Sequence, residues 1–178
     1  LHGGCWQARI ADHGYLEPLA DALAGQGWAV WNVEYRSADV AGGGWPGTYQ
    51  DVAAAADFTR TLAARYRLDL QRLVFAGHSA GGHLALWAAS RDRIADSSVL
   101  HAAAPVLPAR MSVTLITVAD DAVIPASQAA AYRRAARLAG AAVTVRVLPS
   151  GGHFAAVATQ GAGWQVLLDE LAQVRVPR

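Results

Sequence analysis

The chain has 178 residues, 53% hydrophobic and 16% charged, a size and composition expected of a single globular domain and far from the disordered class. Fifteen basic against fourteen acidic side chains leave a formal charge of +1, which argues against a nucleic-acid partner or a membrane-surface patch. The single cysteine, Cys5, excludes an internal disulfide, and no run approaches the ~20 apolar residues of a membrane span, so a cytoplasmic setting is the expectation.

Taken in chain order, short β-branched runs alternate with longer amphipathic ones. The loop His2-Gly3-Gly4-Cys5-Trp6 precedes a predicted helix over about Tyr15–Ala24, ended by Gly25 and Gly27. Ala29–Tyr35 reads as a strand, and the Gly-rich loop Arg36–Gly47 that follows lacks the pattern of a phosphate loop. A second helix is predicted from Thr48, with Asp51 three residues on as a capping-box-like start. Its apolar stripe is Val52, Ala55, Ala56, Thr59, Leu62, Ala63 and Tyr66. Further strands are expected at Leu73–Ala76, Val99–Ala102, Val113–Val118 and Val143–Leu148, several of them apolar throughout, as strands buried on both faces are. Helices are expected over Ala80–Ser90, Ser127–Ala139 (closed by Gly140) and Trp164–Val174. The pattern predicts an α/β fold: a mostly parallel sheet with helices on both faces.

Gly77-His78-Ser79-Ala80-Gly81 fits G-x-S-x-G and stands between a predicted strand and a predicted helix, the context that motif requires. A sharp turn there would lift Ser79 above the sheet as a nucleophile. Gly77 and Gly81 would allow the two backbones to approach, and the helix N-terminus would favour developing negative charge. Such a serine needs backbone N–H groups aimed at the substrate carbonyl. Ala80 follows the serine, and the loop His2-Gly3-Gly4-Cys5-Trp6 offers Gly4 and Cys5 as further oxyanion donors.

A triad of this architecture runs Ser, then acid, then His. The strand Val113–Val118 leads into Asp120-Asp121, one of which would orient the histidine while the other serves as a solvated turn or cap; Asp121 is favoured. The strand Val143–Leu148 leads through two glycines to His153, the expected base. His101 precedes the acid and is in the wrong order. His78 and His83 are expected to pack around the nucleophile, and His13 to sit on a surface loop. No histidine has metal-ligand partners at useful spacing, so neither a metal nor a cofactor is expected. Trp6, Trp45 and Trp87 are candidates for lining an aromatic pocket.

With these motifs in place, the chain resembles the α/β-hydrolase superfamily, and within it the branch of kynurenine-formamidase-like and hormone-sensitive-lipase-like esterases. The resemblance lies in His2–Trp6 (H-G-G-x-W), Gly77–Leu84 (GHSAGGHL), Asn32–Arg36 and Asp121–Pro125 (D-x-x-V-P), and covers most of residues 1–92 and 110–174. It implies an α/β-hydrolase domain over residues 1–178 with Ser79, Asp121 and His153 as triad, acting on a small-molecule ester or amide without cofactor. Relative to that family, the strands before the H-G-G loop are missing and the lid region around 92–110 is short. The leading expectation is a serine hydrolase cleaving a small carboxylic ester or aryl formamide. The alternatives are a prolyl-oligopeptidase-like peptidase and a non-catalytic hydrolase-fold remnant. In the family a strand lies between those read here as Ala29–Tyr35 and Leu73–Ala76, and only Leu1 of it is present. The chain is therefore expected to be a fragment, or to bring those two strands together directly. Oligomeric state is not legible.

Overall fold

A computed structural model of the chain describes residues 1–91 and 111–175. The expected strand Val99–Ala102, His101 and the short segment 92–110 lie outside the described residues. The chain divides into two compact units, Leu1–Val106 and Leu107–Arg178.

In the first unit the helices form where the periodicity placed them: α1 over Glu17–Gly25, α2 over Gly47–Tyr66 and α3 over Ala80–Ala89. A 3₁₀ turn at His13–Leu16 leads into α1. The stripe on α2 holds as far as Ala63: Val52 and Ala63 are buried, while Tyr66 at its end is 58% exposed. Tyr49 and Val52 of α2 pack with Leu84, Trp87 and Ala88 of α3 and with Tyr35, and Tyr49 meets Trp87 edge-on at 5.1 Å. Trp87 is 0% exposed, so it is a core residue and not part of an aromatic pocket.

Two expectations are corrected here. The capping box at the start of α2 does not form. The Thr48 hydroxyl donates to the Arg36 carbonyl instead, and Asp51 pairs with the Arg36 guanidinium at 2.7 Å. A charged, bidentate partner outcompetes a neutral cap for the carboxylate. Ala29–Tyr35 and Leu73–Ala76 form no regular strand, and among the described residues no backbone hydrogen bond joins one to the other. Leu1 bonds the end of the second segment: its amine donates to the Ala76 carbonyl at 2.8 Å and its carbonyl accepts from the His78 amide at 3.2 Å. One residue is too little to build a ladder, since pairing stabilises a strand only through successive bonds and cross-strand side-chain contacts.

The second unit is a β–α–β arrangement followed by a helix. β1 (Val113–Val118) and β2 (Val143–Leu148) pair in parallel, in register from Val113 opposite Val143 to Val118 opposite Leu148. The connection is α4 (Ala126–Leu138), as parallel neighbours require. α5 (Gly161–Arg175) closes the unit, its Glu170 accepting from Arg146 at 2.6 Å and from the Thr114 hydroxyl at 2.8 Å. Val113, Val118, Ala136, Leu148 and Leu171 are its buried apolar side chains among the described residues. Among the described residues no helix is long and apolar enough to cross a membrane.

Candidate functional site

In the first unit, Ser79 stands at the N-terminal cap of α3 with φ 55° and ψ −121°. A non-glycine residue at positive φ, outside the ordinary left-handed well, costs on the order of 1–3 kcal/mol and persists only where its surroundings hold it. The close approach of neighbouring backbones does so here. A Cβ on Gly77 would lie 2.1 Å from the Gly81 carbonyl oxygen. One on Gly81 would lie 2.1 Å from the oxygen of Leu1 and 2.3 Å from that of His2. The two small residues flanking the serine therefore let the turn close on itself and let the His2–Trp6 loop pack onto it. The turn's amides bond internally, Gly81 to the His78 carbonyl at 2.8 Å and Gly82 to the Ser79 carbonyl at 2.9 Å.

The loop Gly3–Trp6 reaches the serine itself. A Cβ built on Gly3 would be 3.2 Å from the Ser79 Cβ, tighter than an ordinary contact, so the glycine lets the loop pass close to the serine. Gly4, Cys5 and Trp6 all have positive φ (94°, 52° and 56°), which curls the chain. Among the described residues, the amides of Gly4, Cys5 and Ala80 donate no hydrogen bond. Cys5 is exposed, whereas His2 is 0% exposed and stacks on Tyr35 with ring centroids 4.1 Å apart. The His2 ring faces the Gly3 carbonyl through Nδ1 and Glu34 Oε1 through Nε2, both at 2.9 Å. The Tyr35 hydroxyl donates to the His2 carbonyl at 2.8 Å.

Glu34 gathers four donors: the ring of His2, the amide and ring of His13 (2.8 and 3.0 Å), and the Tyr35 amide at 3.1 Å. Burial pushes its carboxyl up, but these bonds outweigh burial and bring it down to about 2. His13 is exposed, as expected, and also approaches Glu17 at 3.5 Å. His78 bonds the Tyr15 hydroxyl through Nδ1 at 2.8 Å, and His83 packs edge-on against Trp6 and Tyr49.

In the second unit the end of β1 carries both acids, and they do different work. Asp121 Oδ2 accepts from His153 Nδ1 at 2.8 Å, with the two side chains 8% and 12% exposed. Asp121 Oδ1 accepts from the amides of Val123 and Ile124 at 2.8 and 2.9 Å. Burial would raise the Asp121 carboxyl, but the His153 bond and the Ile124 and Val123 amides outweigh it and hold the group below the usual carboxylate range. Asp120 instead grips the loop before the histidine, accepting from the amides of Gly152 at 2.9 Å and Gly151 at 3.1 Å. These same amides lower its carboxyl. With Nδ1 on the acid, His153 keeps Nε2 as its other ring nitrogen.

The structure thus brings together His2, Gly3, Gly4, Trp6, Gly77, Ser79 and Gly81 in one unit and Asp121 with His153 in the other. The sequence reading placed Glu34 and Tyr35 in the Asn32–Arg36 segment but gave neither a role, and it missed the loop-holding role of Asp120. Each acts through a partner distant in sequence, and the only available signal was an acid beside a recognised motif.

No curated protein matches the chain in sequence. Among solved structures, the propionate-bound esterase Est2 of Thermogutta terrifontis superposes with a TM-score of 0.76 at 19% identity, covering 99% of this chain and 83% of that one. A bacterial heroin esterase matches with a TM-score of 0.74 at 21% identity over 98% and 72% of the two chains. The carboxylesterase Cest-2923 of Lactobacillus plantarum WCFS1 matches with 0.71 at 22% identity over 90% and 80%. At these identities the likeness is one of fold, and the fold is that of the α/β hydrolases, as the motifs implied. The BD-FAE family model matches residues 1–133, well over half the sequence, and the chain therefore belongs to the BD-FAE family.

Proposed function

We propose that this protein is a serine hydrolase that cleaves small carboxylic esters through an acyl-enzyme on Ser79. The observation that carries the reading is Ser79 itself, held at φ 55° at the start of α3 with the glycine loop packed onto its turn. A backbone strained at one nucleophilic side chain, with bare amides beside it, is what acyl transfer needs.

In this reading Ser79 Oγ attacks the ester carbonyl and gives its proton to His153 Nε2. Asp121 keeps the histidine's other proton on Nδ1 and stabilises the imidazolium that forms. The amides of Gly4, Cys5 and Ala80 receive the oxyanion. Collapse expels the alcohol, which takes the proton from His153, and water then repeats the cycle on the acyl-enzyme with His153 as base. The Asp121–His153 bond at 2.8 Å supports these roles, as does the order of the three residues along the chain. A short acyl group is favoured. The Thermogutta esterase has been solved with propionate bound and with butyrate bound, and also phosphoramylated by tabun.

A fluorophosphonate probe tests the reading. The wild type should label, and Ser79→Ala should not. A folded wild-type chain that fails to label would leave a non-catalytic binding protein as the better account. A panel of p-nitrophenyl acetate, butyrate and octanoate with an aryl formamide then sets the substrate class. Acetate or butyrate should turn over fastest; a preference for octanoate would overturn the short-acyl assignment, and a preference for the formamide would move the protein to the amide-cleaving branch.

A further inference from the structure

We propose that Glu34 is a positioning residue of the oxyanion loop, which through His2 fixes the Gly3 carbonyl and so the direction of the Gly4 N–H. The inference rests on the serine-hydrolase reading above, in which that N–H is an oxyanion donor.

In a trans peptide the carbonyl of one residue and the N–H of the next lie in one plane and point in opposite directions. The Gly3 carbonyl is held on one side by His2 Nδ1 at 2.9 Å, with the Tyr35 hydroxyl at 3.4 Å. The Gly4 N–H must then point away from His2 and Tyr35, and among the described residues it has no acceptor. Whatever holds the His2 ring therefore aims the donor.

The ring is held by two acceptors. The ring faces the Gly3 oxygen through Nδ1 and Glu34 Oε1 through Nε2, so its plane is fixed at both nitrogens. His2 is 0% exposed, so each of its polar ring atoms needs a partner inside the fold. Glu34 supplies that partner for Nε2. Its other oxygen is fixed by the amide and ring of His13, and Glu17 lies on the far side of His13, so the carboxylate is itself held in place. Tyr35 stacks on the ring and closes the remaining face. Without the carboxylate the ring loses the partner that fixes its far nitrogen, and its hold on the direction of the Gly3 carbonyl loosens.

Glu34→Ala tests this by removing the partner of His2 Nε2. The expected result is a fall in kcat on p-nitrophenyl acetate of roughly ten- to hundredfold, part of what loss of a whole oxyanion donor costs. KM should stay unchanged, because the oxyanion forms only after binding, and the amide resonances of Gly3–Trp6 should shift. Glu34→Gln should restore most of kcat, because its oxygen can accept from His13 while its NH₂ donates to His2 Nε2 and leaves the Nδ1 proton on the Gly3 carbonyl. The proposal is overturned by a rise in KM at constant kcat, by unchanged turnover with unmoved loop resonances in Glu34→Ala, or by a Glu34→Gln variant as impaired as Glu34→Ala. Should Glu34→Ala fail to fold, Glu34→Met makes the same test at nearly the original side-chain volume. Failure of the wild type to take a fluorophosphonate at Ser79 defeats the hydrolase reading instead, and the loop resonances still show whether Glu34 holds the loop.

Discussion

Replacing Asp121 by Asn separates the chemistry of the acid from its place in the fold. Asp121 Oδ1 accepts from two backbone amides, at 2.8 and 2.9 Å, and an Asn oxygen can keep both bonds. The Asn NH₂ then takes the place of Oδ2, 2.8 Å from His153 Nδ1. A donor facing Nδ1 drives the ring proton to Nε2, the nitrogen that must accept from the nucleophile. The fold loses one bond to a charged group, about 1.5–3 kcal/mol, against a typical total of roughly 5–15 kcal/mol, so the variant should remain folded. The reaction loses far more: the same change in a serine protease triad lowers kcat by ~10⁴, or about 5.4 kcal/mol in the barrier. Asp120→Asn should cost no more than about tenfold, because one amide of the Gly151–Gly152 loop can still bond the Asn oxygen and nothing touches the ring. Steady-state hydrolysis of p-nitrophenyl acetate by both variants, with circular dichroism to confirm folding, gives the comparison. Equal and mild losses would mean that Asp121 does not serve as the acid.

Gly81→Ala should destabilise the first unit by more than 1–3 kcal/mol, the ordinary range for overpacking, because the new methyl carbon meets two backbone oxygens at 2.1 and 2.3 Å and backbone cannot swing aside. Thermal melts would check this, and a midpoint unchanged from wild type would refute it. Ser79→Gly should do the opposite: relief of roughly 1–3 kcal/mol of strain exceeds the ~0.5–1 kcal/mol entropic cost of glycine, so the melting point should rise by a few degrees while probe labelling disappears. The bond from Arg36 is the main reason that the Asp51 carboxyl lies below its usual range. Its contribution to stability is therefore complete above the unfolded value near ~3.9 and is lost as pH falls through the lower folded value. Urea midpoints at pH 7 and pH 3 should converge in Asp51→Asn relative to wild type.

What the sequence disclosed followed the range of the interactions involved. Helices are encoded within a few residues, and α2, α3 and α4 begin and end within about two residues of their apolar periodicity and flanking glycines. The Ser79 turn was legible because its strain demands small residues at fixed offsets. The contact between Asp121 and His153 was legible because both follow β-branched runs that do pair. Strand identity elsewhere was not: Ala29–Tyr35 has the composition of a strand, but a strand exists only with a neighbour, and composition does not say whether one is adjacent. Thr48 and Asp51 satisfied a local capping rule, and a guanidinium 15 residues back took the carboxylate instead. Glu34 was only one residue of the Asn32–Arg36 segment, with no role of its own, until His2 and His13, 32 and 21 residues upstream, converged on it.

The two adjacent acids after β1 also bear on how this part of the chain can change. Val118 opposes Leu148, the Ala119 amide donates to the Leu148 carbonyl at 2.9 Å, and Asp120 then ties down the Gly151–Gly152 bend. The position of His153 is thus measured from the end of β1 directly, and not through the 20-odd residues of α4 and its turns. Insertions at the outer end of α4, around Gly140, leave that measurement untouched, because loop length adds only slowly to the entropy of closure. One residue added within β2 shifts the register and turns every later side chain to the opposite face, the histidine's approach included. The acid–base pair is therefore insulated against length variation in the crossover and exposed to it in six residues of strand, which is where drift in this family's second unit should be least tolerated.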